Sequence, residues 1–132
     1  MNVTLAVLAD YANVTKENKI NILGIFDTIY SKVFPFVWHS MQLVMKFEYP
    51  RAEADSTKNI IVKLMDEDGK TIFQVGGEFK LTKPQNNILT IQANHFLILN
   101  SLRFEKPGNY QFSILVNEDA KKSIELKVIQ VK

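Results

Sequence analysis

The stretch FEKPGNYQFSILVN, Phe104 to Asn117, decides the reading of the fold. Its entry, Lys106-Pro107-Gly108-Asn109, has turn chemistry: proline fixes φ, glycine accepts the positive φ of a type II turn, and asparagine tolerates either sign. Tyr110, Phe112, Ile114 and Val116 then occupy every second position, with Gln111 and Ser113 among the residues between them. Successive side chains of a strand point to opposite faces, so this row predicts a strand with one buried face.

The same period of two recurs along the chain. Leu43, Met45, Phe47 and Tyr49 alternate with Val44, Lys46 and Glu48, and Ile60, Val62 and Leu64 share a phase before the turn DEDGK, where Asp68-Gly69 suits positive φ. Phe73, Val75, Phe79 and Leu81 follow, and Gly76-Gly77 among them marks a bend or a close backbone approach. After the turn KPQNN, ILTIQANHFLIL (Ile88 to Leu99) is apolar in both phases, with a bend expected near Asn94-His95. A final turn, NEDAKK, leads to Ile124, Leu126 and Val128, which pair most economically with the Tyr110 strand as a hairpin.

Near the start, NVTLAVLAD and KINILGIFDTI read as two strands joined by the polar loop ANVTKENK. The second is apolar on both faces, with Ile20, Ile22 and Phe26 on one and Leu23, Ile25 and Ile29 on the other. Such a strand is expected inside a sheet covered on both sides, or under a loop.

About eight short strands separated by turns predict an all-β fold, an antiparallel β-sandwich. The Pro-Gly-x-Tyr-x-Phe entry resembles the penultimate strand of immunoglobulin-like sandwiches, where a tyrosine near the strand start bonds back to the backbone at the corner between sheets. No cysteine exists to build the Cys-Trp-Cys pattern of antibody domains. A chain of 132 residues fits one domain, 1–132, and a domain of that length buries about two-thirds of its extended surface.

Composition removes several functions. With no cysteine, disulfides, thiolate metal sites and a cysteine nucleophile are excluded, and the expected location is the reducing cytoplasm. The formal charge is +2, and the densest basic pair, Lys121-Lys122, directly follows Glu118-Asp119 and Ala120. That is no gathered basic face, so nucleic acid is not an expected partner. No window approaches the roughly 20 apolar residues of a membrane-crossing helix, and a membrane partner is not expected either. The apolar run Val3 to Ala9 lacks a basic leader and is at the short limit for a signal peptide. The sequons at Asn2 and Asn13, without an export signal, are read as chance matches.

The segment from Ala9 to Phe47 resembles a family of small uncharacterised bacterial proteins. The shared pattern is Ala-Asp-x-Ala, a polar turn ending in a basic residue, an apolar strand closing on Gly-Ile-Phe-Asp, and then Phe-Pro. Here it falls on Ala9, Asp10, Ala12, Lys19, Gly24, Ile25, Phe26, Asp27, Phe34 and Pro35, with the Asp68-Gly69 turn and Gly108-x-Tyr110 also fitting. One departure is Asn18, where members usually carry glycine; asparagine also accepts positive φ. The resemblance implies a compact β-sandwich and no known activity, so it assigns no catalytic residues.

The residues themselves offer little chemistry. His39 and His95 are the only histidines and lack ligand spacing, so no metal or other cofactor is expected. DEDGK places glycine directly after Asp68 and has no closing glutamate, which makes it a turn and not a calcium loop. No Gly-x-Ser-x-Gly elbow is present, and Ser40 beside His39 is adjacency alone. Asp10 and Asp27 both end apolar strands, where their ordinary role is to cap turns. With His39 they form the candidate polar site if a pocket gathers them.

The remaining feature is VFPFVWHSM, in which Phe34, Phe36 and Trp38 alternate around Pro35. Proline pushes the segment toward an edge or loop. The rings either plug one end of the sandwich or form a contact surface. The expected function is a non-enzymatic binding or assembly module whose partner is another protein or a second copy. The alternative is a sandwich that binds or hydrolyses a small ligand or carbohydrate, and it requires a polar pocket joining Asp10 or Asp27 to His39 or His95.

Overall fold

A computed structural model describes residues 1–132. In chain order its strands are β1 (Asn2–Val14), β2 (Ile20–Phe26), β3 (Thr28–Ser31), β4 (Phe36–Pro50), β5 (Thr57–Met65), β6 (Thr71–Lys80), β7 (Thr90–Phe104), β8 (Gly108–Val116) and β9 (Asp119–Gln130). The only helical element is a single 3-10 turn at Arg51–Glu53. One sheet has the order β2-β1-β4-β7 and the other β3-β9-β8-β5-β6. Every pairing is antiparallel except that of β3 with β9. The β-sandwich expected from the sequence is the observed fold.

Alternation builds the interior. Tyr110, Phe112, Ile114 and Val116 are all buried and share one apolar cluster with Leu43, Met45, Phe47, Leu64, Leu99, Phe104 and Leu126 from both sheets. Burying one such side chain contributes about 1.5–3 kcal/mol, and the row of four on β8 faces an equal row on β4, Met41, Leu43, Met45 and Phe47. The chain crosses between sheets from Phe104 to Gly108, and aromatic rings hold that corner. Phe104 meets Tyr110 edge-on at 5.1 Å between centroids, and the Tyr110 hydroxyl donates to the Lys106 carbonyl at 2.6 Å. Burial, set against that bond, pushes the Tyr110 phenol above its ordinary pKa. The tyrosine bond expected at the corner is present.

Several turns fall on the residues expected to make them, with two differences: the bend expected over Lys106–Asn109 lies at Glu105–Lys106, with β8 already begun at Gly108, and the turn expected over NEDAKK shortens to Asn117–Glu118 because β9 begins at Asp119. Asn18 takes φ +64° in the β1–β2 turn, and Asn117 and Glu118, both at positive φ, close β8 onto β9. In DEDGK, Asp66 accepts from the backbone N–H groups of Asp68 and Lys70, each at 2.9 Å. Gly76 has the close approach its sequence suggested: a Cβ there would meet the Ile60 carbonyl oxygen of β5. Arg51, unnoticed in the sequence, fastens the Lys83–Asn87 loop by donating to the carbonyls of Pro84, Asn86 and Ile88.

Three expectations are corrected. KINILGIFDTI is two strands, because Asp27 carries the chain from one sheet to the other: Phe26 pairs with Leu8, Thr28 with Lys127. β2 is also an outermost strand, not an interior one. Finally, β7 runs unbroken through Asn94-His95, and its irregularity lies at Ser101, with φ +57°.

Both apolar phases of β2 have a physical reason. Beyond Asp10 and Gly24, the β1–β2 hairpin folds over the outer face of β4 and β7. Ala9, Ala12 and Val44 are buried together there, with Ile20, Ile22 and Phe96 packed against them. At the tip, Asn94 of β7 donates to the side-chain oxygen of Asn18 at 3.2 Å. Phe26, at the other end of β2, packs into the main core.

The corner generates a stability prediction. Tyr110→Phe keeps the ring and removes the bond to Lys106, and is expected to cost about 1 kcal/mol. Tyr110→Ala removes the ring as well and is expected to cost about 3–5 kcal/mol. Urea denaturation of both variants checks the order and the gap; equal losses would show that the ring contributes nothing beyond its hydroxyl.

Candidate functional site

Phe34, Phe36 and Trp38 lie at one end of the sandwich, around a cis Phe34–Pro35 peptide. All three are partly buried and packed on the main core. Phe36 stacks on Phe104 at 5.5 Å, Phe34 meets Phe36 edge-on at 5.1 Å, and Trp38 approaches Phe26 at 6.3 Å while donating its indole N–H to the Ser40 carbonyl at 3.0 Å. The segment is no loop: Phe36 and Trp38 begin β4 and pair with Phe104 and Leu102 of β7. The β1 ladder on β4 starts only at Gln42, so the segment has one neighbour strand and not two. Its exposed side chains are Val33, Pro35, Val37 and His39.

Asp10, Asp27 and His39 are all exposed and share no pocket. Asp10 sits against Gly24, which has φ +70° and whose missing Cβ would run into the Asp10 carboxylate. The pair makes the bend that sends the hairpin over the sheet. Asp27 accepts the Thr28 hydroxyl at 2.7 Å and lines a groove. His39 lines none of the pockets.

The second histidine has a more definite setting. His95 lies half-buried where the edges of β6 and β7 come together, with Phe79 edge-on to its ring at 5.0 Å. Two small crevices, of about 130 and about 100 Å³, flank it. Burial lowers the pKa of its imidazole below the ordinary histidine value. Neither crevice is lined by Asp10 or Asp27.

The two largest depressions lie elsewhere. A polar cleft of about 580 Å³ lies between the Asp66–Lys70 turn and the Arg103–Lys106 crossing. Its charges are largely matched, with Arg103 on Glu105 at 2.6 Å and Lys106 on Asp68 at 3.4 Å. The other is a groove of about 570 Å³ between β9 and the β1–β2 wall, with Leu8, Phe26 and Ile124 among its apolar lining and Asp27, Lys122 and Glu125 among its polar lining.

Beside that groove stands an exposed apolar surface that sequence reasoning missed. Leu23 is 63% exposed, Ile25 62%, and Tyr11, the partner of Leu23 across the hairpin, 50%. From Ile20 to Phe26 no residue is charged and none is proline. Outermost strands ordinarily carry such residues to block pairing with other chains. The uncharged run was the available signal.

Two outcomes follow from this geometry. Gly24→Ala is expected to cost about 1–2 kcal/mol for the left-handed backbone alone, and more while the Asp10 carboxylate occupies the space. The penalty should therefore shrink in an Asp10→Ala background, which a double-mutant cycle measured by denaturation reads directly. His95 sets a pH dependence: unfolded histidine titrates near about 6.5, and the folded imidazole titrates lower. The unfolded chain binds the proton first, so His95's contribution is complete above that range and declines as pH falls, levelling once the folded imidazole is also protonated. Urea midpoints measured across that range should fall less steeply in His95→Gln than in the wild type.

No helix is long and apolar enough to cross a membrane, and no curated protein matches the sequence. Among solved structures, the chain is similar to the Pseudomonas fluorescens alkylpurine DNA glycosylase AlkC bound to DNA containing an abasic site analog, with TM-score 0.47 and 15% identity over 96% of this chain and 31% of that one. It is also similar to a glycosyl hydrolase family 2 member from Bacteroides cellulosilyticus, with TM-score 0.41 and 12% identity over 79% of this chain and 15% of that one. The chain thus spans less than a third of either protein, and likeness at this level assigns no activity. A family model does match it, from residue 4 to residue 129, nearly end to end. The chain belongs to DUF6941, a family of unknown function.

Proposed function

We propose that the domain is a non-enzymatic binding module of the cytoplasm that engages a protein partner through its exposed β1–β2 hairpin. The observation that carries this reading is the uncharged outermost strand β2 with Leu23 and Ile25 facing solvent, beside the exposed Tyr11 of β1. An edge of that kind invites another chain. A tyrosine such as Tyr11, seated at the centre of an interface, contributes about 2 kcal/mol or more where it is a hot spot. The sheet crossing at Asp27, the parallel β3–β9 pairing and the tyrosine bond support reading the sandwich as immunoglobulin-like.

A second reading, binding of a small polar ligand, has one observation in its favour: the cleft beside Arg103 and Asp68. Its ion pairs leave few charges free to recognise a ligand, and the module reading is the stronger.

The test is a Tyr11→Ser, Leu23→Ser double substitution compared with the wild type, both tagged and cross-linked in the native cell. The expected result is one protein retained near stoichiometrically by the wild type and lost by the variant, with the thermal midpoint unchanged. Full retention by the variant, or a wild type that holds no protein, overturns the reading.

A further inference from the structure

β9 has twelve residues, and β3 covers only its last four, Lys127 to Gln130. The Lys127 and Val131 N–H groups donate to Asp27 and Ser31 on that side, at 2.8 and 2.9 Å. Backbone groups alternate sides along a strand. Glu125 and Ser123 therefore present their N–H and C=O groups to the same side, where no strand lies. The groove of about 570 Å³ runs along this unpaired length.

We propose that this groove takes an extended peptide segment of a partner protein, added as a strand beside β9 in line with β3. The inference rests on the binding-module reading and adds to the hairpin a second contact, the groove beside it, which takes an extended segment of the same partner. Added strands draw affinity from main-chain hydrogen bonds and specificity from alternate side chains. Inward side chains of the guest would meet Leu8, Phe26 and Ile124, which calls for aliphatic residues at every second position.

Charge sets the rest. Asp27 and Glu125 stand at the end where β3 begins, and neither forms an ion pair. Lys122, also unpaired, lies three residues back along β9, about 10 Å at the rise of a strand. The guest therefore carries a basic residue beside Asp27 and Glu125 and an acidic residue three positions away beside Lys122. A second copy of this chain fits poorly: Ile25 and Phe26 face the free length of β9 across the groove. Two β9 strands brought edge to edge would force two β2 strands into the same space. A lone strand fits where a whole sheet does not.

The experiment selects from a random dodecapeptide library displayed on phage against the full chain, then measures the enriched peptides by fluorescence anisotropy. Expected are peptides with alternating aliphatic residues and a basic and an acidic residue three apart. Their affinity should fall at least tenfold in Ser123→Pro, which removes a free N–H without touching the β8 ladder. Because proline also constrains the backbone of β9, Glu125→Lys serves as a second variant: it leaves the backbone intact and should cost at least tenfold with the same peptides. No enrichment, or enriched peptides that bind both variants like the wild type, overturns the proposal. So does concentration-dependent dimerisation of the wild type abolished by Ser123→Pro, which would make the occupant a second copy. If the hairpin variant Tyr11→Ser, Leu23→Ser loses its cellular partner while both groove variants keep it, the module reading stands and the groove assignment falls.

Discussion

The ring stack at the β7–β8 corner ties the two sheets together at one point from which the rest of the packing is set. Phe36 of β4 lies on Phe104 of β7, and Phe104 meets Tyr110 of β8 across the gap between sheets. Once these rings are seated, β8 has one permitted phase. Slipping it by a residue would turn Phe112 and Ile114 to solvent and Gln111 and Ser113 inward. The same phase fixes β5 and β9, which flank β8 through the ladders Leu64↔Phe112 and Phe112↔Ile124.

The molecule crosses between its sheets differently at Asp27. The corner at Phe104 uses several residues and a hydrogen-bonded tyrosine, whereas Phe26 and Thr28 belong to opposite sheets with a single residue between them. A crossing that short leaves little chain to cover the edges it separates. β3 is consequently brief, β9 is partnered along part of its length, and the groove opens between them. Across the molecule, β1 and β2 bend away at Asp10 and Gly24 and cover the outside of β4 and β7. One hairpin thus closes the outer face and leaves an uncharged edge behind.

Much of this was legible before any coordinates. Strict alternation in β8, β5 and the core of β4 has one physical meaning, and the turns at Asn18, Asp68-Gly69 and Asn117 carry residues that accept the backbone they adopt. Ambiguity arose where apolar residues filled both phases. Leu23 and Ile25 looked like interior positions because a doubly apolar strand ordinarily has cover on both sides; here the cover lies over only half the strand. Pro35 suggested an edge, yet it stands just before a long inner strand that is itself missing a neighbour at that end. Asp10 and Asp27 stand in the sequence as polar breaks at the ends of apolar strands. Such breaks mark bends and crossings as readily as chemistry, and sequence spacing alone does not say which residues a bend brings together. The groove depended on where β3 stops relative to β9, a register between distant segments that no local pattern encodes.

The parallel pairing of β3 with β9 also bears on how the chain is made. A ribosome delivers β1, β2 and β4 early, so both partners of each of their antiparallel ladders are present long before the last strand. Thr28 has no partner until Lys127 arrives at the far end of the chain, so one sheet remains open along a flank throughout synthesis. During that interval the short β3 is tethered at Asp27 with its backbone groups in water. Completion of the sandwich waits on the last strand, and the nascent chain has an exposed flank for as long as translation of the second half takes.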